Sequence, residues 1–299
     1  MDGNGGARFE DICIRVYDGA QIYGRHYPAP GSKRRPLLCL AGLTRNSRDF
    51  HDLAMALSGD AEGARPVYTI DTRGRGQSDY AKDWRGYTVP GEMLDVQDFM
   101  AAQHLHKVAI LGTSRGGLIA MVLAAAQPSL IGTVILNDIG PTIEHVGLLR
   151  ISGYVGKQEP PLTWEQAGQR IAAGEREFFP DIEADAWQEI ARQRLNEVNG
   201  KPAPAYDPEI SRTLGTVSNG PPPPLWKQFN ALNHVPCLVL RGELSDLLSA
   251  ETVTAMTERH PDCSAHTVPR QGHAPLLADT PTQAVISDFL KTQDGLAAH

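Results

Sequence analysis

Short apolar runs bounded by turn residues recur through the first half of the chain: "DICIRVYDG", "QIYGRHY", "PLLCLAG", "RPVYTIDTRG", "HKVAILG" and "TVILNDIG". From the third run onward, stretches with helical spacing lie between them, namely "DFHDLAMALSG", "GEMLDVQDFMAAQHL" and "LIAMVLAAAQP". Strands alternating with helices predict βαβ units and a mostly parallel sheet. The first two runs, separated by "DGAQ", predict an antiparallel hairpin at the sheet edge.

The rhythm stops after Pro141. Residues 142–230 hold helical stretches, "TWEQAGQRIAAG" and "ADAWQEIARQRL", but no convincing strand, and "NGPPPPLWKQF" predicts a stiff extended segment at their end. Strand and helix patterns then resume in "VPCLVLRGE", "SAETVTAMTERHP", "SAHTVPRQG" and "TPTQAVISDFLKT". The pattern predicts one α/β core domain formed by residues 1–141 and 231–299, with residues 142–230 inserted as a helical cap. No internal repeat interrupts it.

Composition narrows the options. Of 299 residues, 41% are hydrophobic, enough for a sizeable core. The formal charge is −7 and no basic block stands out, which argues against nucleic acid as a partner. The opening "MDGNGGARFEDICIRV" lacks a signal-peptide layout, and no apolar run approaches the roughly 20 residues that span a bilayer, so the expected compartment is the cytoplasm. Of the four cysteines, Cys13, Cys39 and Cys237 sit inside strand-like runs and Cys263 begins another. Without CxxC spacing they read as reduced, buried small hydrophobes.

"ILGTSRGGLIAM" raises the chemical question. Gly112-Thr113-Ser114-Arg115-Gly116 fits G-x-S-x-G, with the strand "KVAIL" before it and a helix after it. Glycine is costly next to a helix and is kept where the backbone takes an unusual angle or approaches another segment closely. Here the glycines would let the chain turn sharply enough to present the Ser114 hydroxyl beside the helix's unpaired N–H groups. A serine needs a base to remove its proton and a carboxylate to orient that base. Of the ten histidines, His104 and His106 flank a helix end, and His51 and His260 read as solvated helix positions. His273, in "VPRQGHAPLL", follows a strand directly, at the end of the sheet where Ser114 lies. Asp246, in "LVLRGELSDLLS", is the favoured carboxylate, because the order Ser114, Asp246, His273 fits the motif. Asp138, in "VILNDIGP", is the alternative, with a loop-anchoring role as its plain explanation.

Together these residues resemble the α/β-hydrolase family, and the resemblance spans about residues 10–293. "DTRGRGQSD" is similar to the family's D-x-R-G-x-G-x-S segment, and "LRGELSDLLS" and "RQGHAPLL" to its acid and histidine loops. The resemblance implies an α/β-hydrolase fold and an oxyanion hole made by the backbone N–H groups of Leu43 and Arg115. It departs from the family where His-Gly after the third strand reads Ala41-Gly42. The backbone donor survives that change, but what holds the loop is open: Arg45 and Asn46 either brace it or touch substrate, or Asn46 or Ser47 caps a helix while Arg45 is solvated. Epoxide hydrolases and haloalkane dehalogenases of this fold carry aspartate where Ser114 stands, and lipases usually carry secretion signals. No G-x-x-x-x-G-K-[ST] or H-E-x-x-H motif occurs, so no cofactor and no metal is implied.

Trp164, Trp187, Trp226, Tyr154, Phe178 and Phe179 concentrate aromatic surface in residues 142–230. Most should form the cap's own core, and some should line an apolar pocket above Ser114. Trp226 and Arg45 are the candidate substrate contacts. The Arg115 side chain would pair with a carboxylate beneath the cap or bind a charged substrate. The expected activity is that of a serine hydrolase cleaving small to medium carboxylic esters through an acyl-enzyme. The alternatives are a carbon–carbon bond hydrolase or enol-lactonase, and a ligand receptor on the same fold with slow turnover. The expected partner is a small-molecule ester, with oligomeric state open.

Overall fold

The computed structural model describes residues 9–61, 63–157 and 163–296. Residues 1–8 of the opening stretch lie outside them. The strands of the main sheet are β1 (Glu10–Arg15), β2 (Gln21–Tyr27), β3 (Leu37–Leu40), β4 (Val67–Ile70), β5 (Val108–Thr113), β6 (Ile131–Asn137), β9 (Cys237–Gly242) and β10 (Cys263–Val268). Their order is β1-β2-β4-β3-β5-β6-β9-β10. β1 and β2 form the edge hairpin, β2 runs antiparallel to β4, and every later pairing is parallel.

The central strands are apolar on both faces because both faces are covered, as parallel sheets require. In β3, Leu38 and Leu40 face one core while Leu37 and Cys39 face the other, the period-2 alternation of a strand. The first core holds Val96 and Phe99 of α2 (Val89–Ala102) and Ile119 and Leu123 of α3 (Arg115–Ala126). The second holds Leu53 and Leu57 of α1 (His51–Ser58) and Ile286 and Leu290 of α9 (Thr280–Leu296). Each of these buried side chains contributes about 1.5–3 kcal/mol relative to exposure. α8 (Ala250–Arg259) adds Met256 to the first core.

Between β6 and β9 the chain forms α4 (His145–Tyr154), α5 (Trp164–Glu175), α6 (Ala186–Arg194), β7 (Leu195–Val198), β8 (Lys201–Pro204) and α7 (Trp226–Asn230). Phe179, Trp187 and Ala172 make a small buried cluster there, joined by Phe178, Ile182, Ile190 and Leu276. Four expectations are corrected. β7 and β8 pair as an antiparallel hairpin where no strand was expected. Trp226 opens a short helix rather than sitting in an extended segment. Cys13, expected buried, is exposed on edge strand β1, while Cys39 and Cys237 are buried. His260, expected solvated, is buried at the end of α8 with Nε2 against the Leu232 carbonyl.

Candidate active site

β5 ends at Thr113 and α3 begins at Arg115, so one residue makes the turn. That residue, Ser114, sits at φ 52°, ψ −114°, a sparsely populated region costing of order 1–3 kcal/mol for a non-glycine residue. The neighbouring glycines do not share its positive φ. They serve close approach instead. A Cβ on Gly116 would lie 2.1 Å from the Leu40 carbonyl oxygen, and one on Gly112 would lie 2.5 Å from the Gly117 nitrogen. The helix start is thus pressed against β3 and β5, and Ser114 alone carries the turn.

His273 lies beyond β10, in a loop held to the strand ends. The Asn137 side chain donates to the Thr113 hydroxyl (3.1 Å) and the Pro275 carbonyl (3.0 Å). Gln271 accepts from the Leu276 N–H (2.8 Å) and donates to Asp279 (3.1 Å). This places His273 Nε2 2.9 Å from Ser114 Oγ and Nδ1 2.8 Å from Asp138 Oδ2. An ionised carboxylate only accepts, so Nδ1 carries the proton and Nε2 is left to accept from the serine hydroxyl.

Asp138 takes the place expected of Asp246. It follows β6 directly at φ 55°, fully buried, and its carboxylate has three donors. The Gly242 N–H reaches Oδ1 at 2.8 Å, while the Ser245 hydroxyl at 2.5 Å and the imidazole share Oδ2. Asp246 makes no hydrogen bond to His273. It is gripped by Arg150 of α4 through Nε (2.5 Å) and Nη2 (2.8 Å). Burial pushes the Asp246 carboxyl up, but Arg150 outweighs it and holds the group below the ordinary carboxylate range.

The other candidates divide. Gly42 packs beside the serine, since a Cβ there would lie 3.7 Å from Ser114 Cβ, so the Leu43 loop flanks Ser114. The backbone N–H groups of Leu43 and Arg115 donate to no backbone carbonyl among the described residues. The Arg115 side chain is held by Glu92 of α2, through Nε at 2.8 Å and Nη2 at 3.0 Å. Arg45 grips Asp49 at 2.7 and 2.9 Å and lines the cavity, while Asn46 caps the following turn by accepting from the Arg48 N–H at 3.1 Å. Trp226 is not at the site. Its indole packs edge-on against Phe229 and beneath the Arg259 guanidinium, 3.9 Å from the ring centre, because α7 lies against α3 and α8 rather than over Ser114.

Ser114 and His273 open into a cavity of about 620 Å³ between the sheet and α4–α6. Its lining mixes apolar side chains, Ile171, Ile182, Ile190 and Leu276, with the polar Arg45, Tyr154, Glu175 and Arg194. Burial pushes the Glu175 carboxyl up, but Arg194, Arg45 and Arg150 outweigh it and keep it below its ordinary range. Among the described residues no group of His, Cys, Asp and Glu is gathered as for a metal ion, and no helix is long and apolar enough to cross a membrane.

Comparison with known proteins agrees with this fold. Residues 37–288 match the Alpha/beta hydrolase family. A 3-hydroxybutyrate-oligomer hydrolase of Cupriavidus necator is 35% identical over 267 residues, 85% of this chain and 88% of that one. A 2-(acetamidomethylene)succinate hydrolase of Mesorhizobium japonicum is 26% identical, over 79% of this chain and 81% of that one. The crystal structure of an alpha/beta hydrolase from Novosphingobium aromaticivorans superposes with a TM-score of 0.88 at 38% identity, covering 96% of this chain and 99% of that one. The chain belongs to the alpha/beta hydrolase family.

Proposed function

We propose that this protein is a serine hydrolase that cleaves small to medium carboxylic esters through an acyl-enzyme. One observation carries the proposal: the unbroken run of hydrogen bonds Ser114–His273–Asp138 at the wall of the 620 Å³ cavity. Ser114 Oγ attacks the ester carbonyl carbon while His273 Nε2 takes its proton, and Asp138 orients and stabilises the resulting imidazolium. The Leu43 and Arg115 N–H groups receive the oxyanion. The imidazolium then protonates the departing alcohol, and water, activated by His273, releases the acid and restores the serine.

The apolar lining residues Ile171, Ile182, Ile190 and Leu276 suit an alkyl acyl or alcohol part, and Arg45 lines the same cavity. The name of the Cupriavidus relative refers to oligomers of a hydroxy acid, a kind of substrate in keeping with ester cleavage. Carbon–carbon or lactone cleavage of an anionic substrate is the second reading, and Arg45 in the cavity is the feature in its favour. Its bidentate pairing with Asp49 offsets the charge such a substrate would use, so the ester reading leads. A receptor has no need of an assembled Ser–His–Asp run.

A fluorophosphonate should attach to Ser114, and p-nitrophenyl esters should turn over many times per site. Ser114→Ala should reduce kcat by about 10⁶-fold without lowering the melting temperature. Turnover of dienoates or lactones with none of esters would transfer the assignment to the second reading. Labelling at another serine would remove both.

A further inference from the structure

The two backbone N–H groups assigned above to the oxyanion belong to segments far apart in sequence, and one buried carboxylate connects to both. Glu92 is fully buried on α2, facing the start of α3. Its Oε2 accepts from Arg115 Nε at 2.8 Å and its Oε1 from Arg115 Nη2 at 3.0 Å. Oε1 also accepts from Arg75 Nη1 at 2.7 Å. Arg75, fully buried as well, donates through Nε to the Leu43 carbonyl at 2.8 Å and through Nη1 to the Arg73 carbonyl at 2.7 Å. One donor-bearing residue is therefore held by its own side chain, and the other through a single intervening guanidinium. Arg115 Nη2 further donates to the Tyr87 carbonyl just before α2, at 3.0 Å.

We infer that Glu92 is a positioning residue for ester cleavage, a tether that fixes the spacing between the Leu43 and Arg115 N–H groups. The inference rests on the oxyanion role proposed for those two groups. The loop after β3 is anchored by Leu43, which packs against the core, and by the Arg45 N–H on the Gly42 carbonyl at 3.1 Å. Arg75 adds a polar brace from behind, donating to the Leu43 carbonyl so that the N–H on the other side of the residue stays turned toward Ser114. Oxyanion donors must lie within a few tenths of an ångström of their working distance, and misplacement by about 1 Å costs up to roughly 100-fold. Burial would push the Glu92 carboxyl up, but Arg75 and Arg115 outweigh it and keep it ionised. Two guanidiniums around one carboxylate leave a net positive charge beside the donors. Charge and tether thus predict opposite signs for Glu92→Gln: a pure charge effect would raise kcat by adding positive charge, whereas loss of the tether lowers it.

The test compares wild type with Glu92→Gln, Arg75→Lys and Arg115→Met, using a p-nitrophenyl ester and a trifluoromethyl ketone. The ketone adds to Ser114 and places an oxyanion in the hole. Glu92→Gln and Arg75→Lys should lower kcat by about 10- to 100-fold with KM changed less than about threefold, and should weaken the ketone in parallel with kcat. Arg115→Met keeps its backbone N–H and has a partly exposed side chain, so it tolerates replacement if the buried variants fail to fold. It should show a loss of the same pattern, about 3- to 10-fold, the range of a single interaction of roughly 1 kcal/mol. Folded variants that keep wild-type kcat and ketone affinity, or that lose KM and kcat alike, overturn the tether alone. A wild-type protein inert toward both ester and ketone overturns the hydrolase proposal and the tether with it.

Discussion

Two aspartates stand at the ends of neighbouring parallel strands, and their loops put them to different use. Asp138 follows β6 without slack, so its carboxylate points along the strand end and meets three donors, one of them His273. Asp246 lies four residues past the end of β9, far enough for its loop to turn outward to Arg150. The adjacent residue, Ser245, turns the other way and donates to Asp138. The end of β9 and the loop after it thus hold Asp138 through the Gly242 N–H and the Ser245 hydroxyl, and tie α4 to the sheet through Asp246.

If this division is right, replacing the two carboxylates should have very unequal effects. Asp138→Asn should lower kcat by about 10⁴-fold, because the imidazole loses the partner that fixes its tautomer. Ser245→Ala removes one charge-assisted hydrogen bond to Asp138 and should cost about 10- to 30-fold, in keeping with roughly 1.5–2 kcal/mol. Asp246→Asn should change kcat by less than about tenfold, since it breaks a partly exposed ion pair worth roughly 1 kcal/mol. Steady-state kinetics on one p-nitrophenyl ester, with thermal melts to verify folding, would rank the three. A ranking with Asp246 above Asp138 would reverse the comparison.

The smallest effect lies in stability. The Asp246 carboxyl titrates below its ordinary value of 3.8 when folded, burial being outweighed by Arg150. A group depressed in this way stabilises the fold above its unfolded pKa and loses that contribution as pH falls through the folded value. Wild type and Asp246→Asn should therefore differ in melting temperature at neutral pH, with the difference starting to shrink near 3.8 and vanishing only once pH has fallen below the depressed folded value. A difference independent of pH would mean that Asp246 acts through packing rather than charge.

Much of this was legible in the residues. The alternation of strands and helices is set by burial on both sheet faces, and the Gly-rich turn at Ser114 by close packing against β3, so both leave marks in the local sequence. His273 was recognisable because it follows a strand at the same sheet end. The choice of carboxylate was not, because Ser114, Asp138, His273 satisfies chain order as well as the sequence with Asp246. Only the partner of each loop separates them, and Arg150 is distant from Asp246 in sequence. The β7–β8 hairpin did carry a signal. Asn199 and Gly200 both have positive φ, at 52° and 75°, as expected for an Asn-Gly turn between paired strands. Pro202 and Pro204 and the polar strand residues masked it. Arg75 falls at an unspecified position of the D-x-R-G-x-G-x-S segment and Glu92 carries no local mark, because their contacts arise from packing between α2, α3 and the loops after β3 and β4.

The claim that His273 is held by Asp138 can be tested without any substrate. The imidazole Nδ1–H, buried and bonded to a carboxylate, should give a proton NMR resonance well downfield of the amide envelope. That resonance should persist in Asp246→Asn and vanish in Asp138→Asn. Loss of the signal in Asp246→Asn, with retention in Asp138→Asn, would contradict the account.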